Sequence, residues 1–146
     1  MPDHGLTHVA LLVGDVEASV AFYARYAAMQ VVHQRADATT GARVAWITDR
    51  TRPFVIVLVE APPSVPRRLQ RLVGRLTPGV QHLGVGCASR ADVERLCDTA
   101  RREGRLRRGP TDSGYPVGFW AFIDDPDGHI LEISFGQEVG LTVETS

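Results

Sequence analysis

The chain has 146 residues, 44% hydrophobic and 23% charged, with a formal net charge of -1. That suits one globular domain with a sizeable core and gives no global attraction to nucleic acid or to an anionic membrane. No apolar run approaches the roughly 20 residues of a spanning helix, the N-terminal MPDHGLTHVALLVGD lacks the basic leader of a signal peptide, and two cysteines, Cys87 and Cys97, make no disulfide framework; the expected location is the cytoplasm.

In chain order, Leu6 to Val13 is a strand candidate with both faces largely apolar, as in a strand covered on both sides. Gly14 and Asp15 break it. Asp15 caps a predicted helix from Val16 to about Ala27, with Val16, Val20, Tyr23 and Ala27 on one stripe. Three strands are predicted next: Met29 to Arg35, Arg43 to Thr48, and the β-branched Phe54 to Glu60. Ala61 to Pro78 reads as a connector carrying a short amphipathic helix through Leu69, Leu72, Val73 and Leu76.

The pattern then restarts. Gly79 to Cys87 is a short strand containing His82. Ser89 caps a helix, with Asp92 three residues on in the manner of a capping box and Gly104 as its stop. Leu106 to Arg108 is a brief strand and Gly109 to Pro116 a loop, a candidate lid. Phe119 to Gly136 reads as strand, tight turn, strand, and residues 137–146 form a tail. Glu132 stands inside the otherwise apolar last strand. A buried acid is costly unless something compensates its charge, and a metal ion is one such partner.

The halves repeat as strand, helix, strand, strand, strand. His8 and His82 occupy matching places in GLTH and GVQH, 74 residues apart. WITDRTRPFVIVL laid over AFIDDPDGHILEI at an offset of 75 puts Trp46 on Ala121, Asp49 on Asp124 and Val57 on Glu132. On the last strand, Ile130, Glu132 and Ser134 share one face, and Leu131, Ile133 and Phe135 make the better core.

Paired βαβββ modules, the segments THVALLVGDVEASVAFY and QHLGVGC, and DDPDGHILEISFG with its central Glu132 resemble the vicinal oxygen chelate superfamily of glyoxalase I, extradiol dioxygenases and bleomycin-resistance proteins. The resemblance runs from Leu6 to Gly136. It implies an α+β fold of two βαβββ modules forming a cupped mixed sheet. The layout is a single domain over residues 1–146: module one at about 5–60, connector 61–78, module two at about 79–136, then the tail. It implies a divalent metal held by His8, His82 and Glu132, with Glu60 as a fourth candidate of the wrong strand parity. Fe2+ suits two histidines and one carboxylate with open positions; Mn2+, Co2+, Ni2+ or Zn2+ would also be accepted. The implied activity is a metal-dependent reaction of glyoxalase or dioxygenase type on a small molecule that chelates through adjacent oxygens, in a homodimer.

Two departures bear on that reading. Val57, at the position of a fourth ligand, cannot ligate, which argues against a standard glyoxalase I site. Phe122 stands where the extradiol signature has a tyrosine, and no histidine precedes it near Tyr115, which argues against ordinary ring cleavage. The alternative is a metal-free, small-molecule-sequestering protein of the bleomycin-resistance kind, with aromatic residues lining a stacking groove. A single strand histidine is more often a core residue than a ligand. His4, His33 and His129 read as surface or turn residues, the basic runs as solvated helix faces, and both cysteines as small buried hydrophobes.

Overall fold

The computed structural model describes residues 5–38, 41–62, 66, 68, 69, 72, 81–139 and 143. His4, most of the expected connector helix and most of the tail lie outside the described residues. The chain divides into two compact units, Met1–Leu72 and Val73–Ser146. Each carries one four-stranded mixed sheet and one long helix among its described residues. The α+β fold of two βαβββ modules is therefore present.

In the first unit the elements are β1 (His8–Val13), α1 (Val16–Ala27), β2 (Gln30–Ala36), β3 (Arg43–Thr48) and β4 (Val55–Glu60). The sheet order is β1-β4-β3-β2, with β1 parallel to β4 and the other pairs antiparallel. Asp15 Oδ1 accepts the Glu17 and Ala18 N–H groups at 2.9 and 3.3 Å, closing the start of α1 as its sequence predicts. The buried stripe of α1 is Val16, Ser19, Phe22, Tyr23 and Tyr26. It is rotated from the expected Val16, Val20, Tyr23 and Ala27, because the rings of Phe22 and Tyr26 carry more apolar area than Val20 or Ala27 and take the inward positions. Ala45, Ile47, Ile56 and Leu58 form the buried sheet side of this core.

Glu60, at the end of β4, is tied to that helix. Its Oε2 lies 2.7 Å from Arg43 Nη2 and accepts the Val16 N–H at 3.1 Å. Arg43 and, second to it, the Val16 amide hold the Glu60 carboxyl below its ordinary value of 4.5. A carboxylate whose folded pKa is depressed contributes stability that is present above its unfolded pKa and lost as pH falls through the folded one. Glu60→Gln is therefore expected to lower the urea midpoint at neutral pH, and its difference from the natural chain should shrink through the acid range below about pH 4.5. A difference that stays constant as pH falls would contradict this assignment.

In the second unit the elements are β5 (His82–Gly86), α2 (Arg90–Arg102), β6 (Leu106–Asp112), β7 (Phe119–Asp124) and β8 (Ile130–Phe135). The order is β5-β8-β7-β6, again with one parallel pair, β5 with β8. Ser89 caps α2 by accepting the Asp92 N–H at 3.1 Å. The Asp92 carboxylate reaches back to the cap in turn, accepting the Ser89 hydroxyl at 2.8 Å and, as a smaller contribution, the Ser89 backbone N–H, in the manner of a capping box. Val93, Leu96, Cys97 and Ala100 are the buried face of α2. Burial pushes the Cys97 thiol up to about 11, so it is a core side chain and an unreactive one.

Strand β6 is longer than expected. Gly109 and Pro110, read from the sequence as the start of a loop, lie inside it. Two register shifts, between Leu106 and Arg108 and between Arg108 and Thr111, absorb them as bulges. The connection is thereby shortened to residues 113–118. It is pinned by Ser113 N–H to the Gly118 carbonyl at 3.0 Å and Gly118 N–H to the Gly114 carbonyl at 2.7 Å.

The β7–β8 turn is built by Asp125, whose buried carboxylate accepts the Asp127 and His129 N–H groups, both at 2.8 Å. Asp49 does the same in the first unit, accepting the Thr51 N–H and hydroxyl. Pairing corrects the repeat alignment here. Trp46 stands opposite Val57, and Phe122 stands opposite Glu132. Trp46 thus matches Phe122 rather than Ala121, and Asp49 matches Asp125 rather than Asp124. The β3–β4 turn is one residue longer than its counterpart, which an ungapped alignment cannot register.

Candidate metal centre

In the second sheet, residues opposite one another across the ladder point to the same face. Leu131 and Ile133, with their β7 partners Ile123 and Ala121, are fully buried on one face, the side α2 packs on. The other face carries three cross-strand rows: His82 and Ile130 with Asp124; Gly84 and Glu132 with Phe122 and Arg108; Gly86 and Ser134 with Trp120 and Thr111. The sequence-predicted separation of Glu132 from the Leu131 face is therefore observed.

On this face His82 and Glu132 meet. His82 Nε2 lies 3.2 Å from Glu132 Oε2, with the imidazole one-third exposed and the carboxylate 8% exposed. The other oxygen of Glu132 accepts a hydrogen bond from Gln137 Nε2 at 2.9 Å. Phe122 packs on the imidazole at 5.1 Å between ring centroids, and Trp120 packs on Phe122 at 4.7 Å. Trp120 Nε1 donates to Ser113 Oγ at 2.9 Å, which satisfies the indole of a buried ring. Gly84 sits beside Glu132 in the row, and a Cβ built on it would meet nothing within 4 Å. An apolar wall on one side and clear space on the other thus flank a buried carboxylate and a half-buried imidazole.

The equivalent row of the first unit is Ala10, Val57, Trp46 and His33. His8 heads β1 as His82 heads β5. It is exposed, and its Nδ1 meets Thr7 Oγ1 at 2.9 Å, which leaves Nε2 for another partner. Val57 holds the place of Glu132 and brings no donor. His33, expected at the surface, is exposed on β2 and stacks on Trp46 at 5.0 Å. Glu60 is paired in register with Val13, at the far end of β1 from His8, about 16 Å along the strand. Its carboxylate is engaged by Arg43, so it does not share a site with His8. Among the described residues no three His, Cys, Asp or Glu side chains stand together as a metal-holding group. The chemistry of the pair that does form, an imidazole nitrogen facing a desolvated carboxylate oxygen, fits a divalent cation.

Sequence reasoning missed Gln137 and Arg108. Gly136 turns the chain with φ +75°, which sends Gln137 back to a strand residue five positions earlier. A glycine directly after the last strand residue was the available signal.

A family model for the glyoxalase/bleomycin resistance protein/dioxygenase superfamily matches residues 5–133. The chain belongs to that superfamily. It is 34% identical over 135 residues to an uncharacterised protein of Pseudomonas aeruginosa, covering 92% of this chain and 91% of that one. It is 25% identical over 138 residues to a "probable lactoylglutathione lyase" of Vibrio cholerae, covering 91% of each. Among solved structures, the trypanothione-dependent glyoxalase I of Leishmania major superposes with a TM-score of 0.70 at 18% identity, over 98% of this chain and 94% of that one. A point mutant of the fosfomycin resistance protein FosX of Listeria monocytogenes, complexed with Mn(II) and 1S,2S-dihydroxypropylphosphonic acid, superposes with a TM-score of 0.66 at 15% identity, over 97% and 98%. At these identities the superfamily likeness of the solved structures is one of fold.

Proposed function

We propose that this chain is a metal-dependent enzyme acting on a small molecule that presents two adjacent oxygens, with His82, Glu132 and His8 as the protein ligands. The two units would then act as one functional domain. The observation that carries the reading is the His82–Glu132 contact: a carboxylate 8% exposed, held in place by Gln137, faces an imidazole across 3.2 Å. A divalent ion held there, Fe2+ or Mn2+ foremost, would supply Lewis acidity to substrate oxygens at its open positions.

The chain's own residues would do the rest. Glu132 supplies the negative charge, and Gln137 fixes its orientation. Phe122 holds the imidazole plane, and Trp120 with Phe122 keeps water from that side of the site. The bare Gly84 leaves room for a ligand beside Glu132. Phe122 has no hydroxyl to offer, so proton transfer in the manner of ring cleavage finds no donor at that position; lyase or isomerase chemistry is the better match. The FosX neighbour, complexed with Mn(II) and a dihydroxy phosphonate, and the lyase-named relative support the same direction.

Titration of chelator-free protein with Mn2+ tests this. The natural chain should take up close to one ion, and His8→Ala should lose most of that affinity with an unchanged circular dichroism spectrum. A second reading, a metal-free binder of the bleomycin-resistance kind, is favoured by one observation: Trp120 and Phe122 stack into an aromatic wall on this face, while Val57 brings no donor at the matching place of the first unit. Absence of uptake by the natural chain would select it and reject the first.

A further inference from the structure

Arg107 and Arg108 are neighbours with opposite circumstances. Arg107 Nε lies 2.6 Å from Asp124 Oδ1 and is neutralised there. Arg108 is exposed and, among the described residues, pairs with no carboxylate; its guanidinium lies over the Trp120 ring, 5.3 Å from the centroid. It lies in β6, as the strand expected at Leu106 to Arg108 implies. The bulges on either side of it set it opposite Phe122, in the same cross-strand row as Glu132 and Gly84. Gly109 fixes that register. It has φ +91°, and a Cβ there would come within 2.8 Å of the Trp120 carbonyl oxygen, so the strand is pressed onto β7 directly after Arg108.

Two strand spacings separate Arg108 from Glu132, about 10 Å between Cα atoms. An arginine seated on an aromatic face keeps the N–H groups along its edge free, and those edges match a carboxylate or phosphate. The site thus has an unneutralised, planar donor on the same face as the His82–Glu132 pair, with open space above Gly84.

We infer that Arg108 binds an anionic group of the substrate, so that this site takes a small molecule carrying a carboxylate or a phosphate-type group in addition to its chelating oxygens. The inference rests on the site proposed above and adds the charge class of its ligand. It needs no metal to be tested. In a W46F background, Trp120 is the single tryptophan of the chain, and its fluorescence reports a ligand arriving on Arg108.

Metal-free protein is titrated with inorganic phosphate, with acetate and with neutral propane-1,2-diol. Phosphate or acetate should change the Trp120 emission saturably, and the tighter of the two identifies the kind of anion; the diol alone should not. R108Q should weaken the anion response at least tenfold and R108K less. R102Q, which removes the same charge from the surface of α2, should leave it unchanged. E132Q should retain anion binding while losing Mn2+ uptake, and R108Q the reverse, so failure of the metal reading and failure of this one give different results. No saturable response to either anion in the natural site, or the same affinity in R108Q, would overturn the assignment.

Discussion

Glu132→Gln is expected to reduce divalent-metal affinity by at least about 100-fold while leaving the chain folded. Removing a partner that merely orients a ligand commonly costs 10–100-fold, so loss of the carboxylate in the proposed ligand set should lie at or beyond the top of that range. The fold should survive because glutamine is the same shape as glutamate. Its carbonyl can still accept from Gln137, and its amide can donate to a neutral His82 Nε2, so neither neighbour is left without a partner. Glu132→Ala would confuse the outcome by opening a cavity next to Phe122. Calorimetric titration with Mn2+, with thermal unfolding measured beside it, separates binding from stability. Unchanged uptake in a folded Glu132→Gln protein would remove Glu132 from the ligand set.

The second large effect concerns the turn between β6 and β7. Gly118→Ala should destabilise the chain far more than Gly114→Ala, although both glycines have positive φ, +79° and +69°. The left-handed conformation alone costs an L-residue about 1–2 kcal/mol, and both variants suffer it. A Cβ at Gly114 meets nothing within 4 Å, whereas one at Gly118 falls 2.5 Å from the Phe135 carbonyl oxygen and 2.7 Å from the Gly136 carbonyl carbon. Those are backbone atoms that cannot rotate away, so the overlap adds roughly 1–3 kcal/mol. Gly118→Ala should therefore lose about 2–5 kcal/mol against about 1–2 for Gly114→Ala, read from urea unfolding. The backbone it displaces leads directly into Gln137, so it should also weaken metal uptake. Equal losses in the two variants would show that the close approach at Gly118 carries no weight.

Most strands were legible in the sequence because alternation and β-branched runs report directly on a half-buried ladder. FVIVLVE and DDPDGHILEISFG are the clearest cases. The repeat was legible for the same reason: two modules of one fold keep the same apolar rhythm. Its register slipped by one residue on β3 and β7, since Asp49 and Asp125 do the same work at the heads of turns of different length. Linear spacing does not reveal which residue of a turn caps it.

Strand β6 was truncated because Gly109 and Pro110 carry a turn signal, and only pairing with β7 shows them as bulge residues. Arg108 was legible as a strand residue, but its place in the row of Glu132 depends on the two bulges, which linear spacing does not show. The α1 stripe was misjudged because hydrophobic periodicity alone does not say which of two adjacent faces will accept aromatic rings. His82 and Glu132 were visible through their repeat positions, and the structure brings those two together. Gln137 was not visible, because its contact depends on the backbone turn at Gly136 rather than on any periodic pattern.

The central claim is that His82 and Glu132 are two ligands of one divalent ion, with His8 as the third. A crystal of the chelator-free protein loaded with Mn2+, with diffraction collected at the manganese edge, tests it most directly. The account predicts a single strong anomalous peak bonded to His82 Nε2, a Glu132 carboxylate oxygen and a His8 ring nitrogen, with Glu60 still on Arg43. Full metal loading with no peak at the His82–Glu132 pair, or a peak held by other residues, would contradict it.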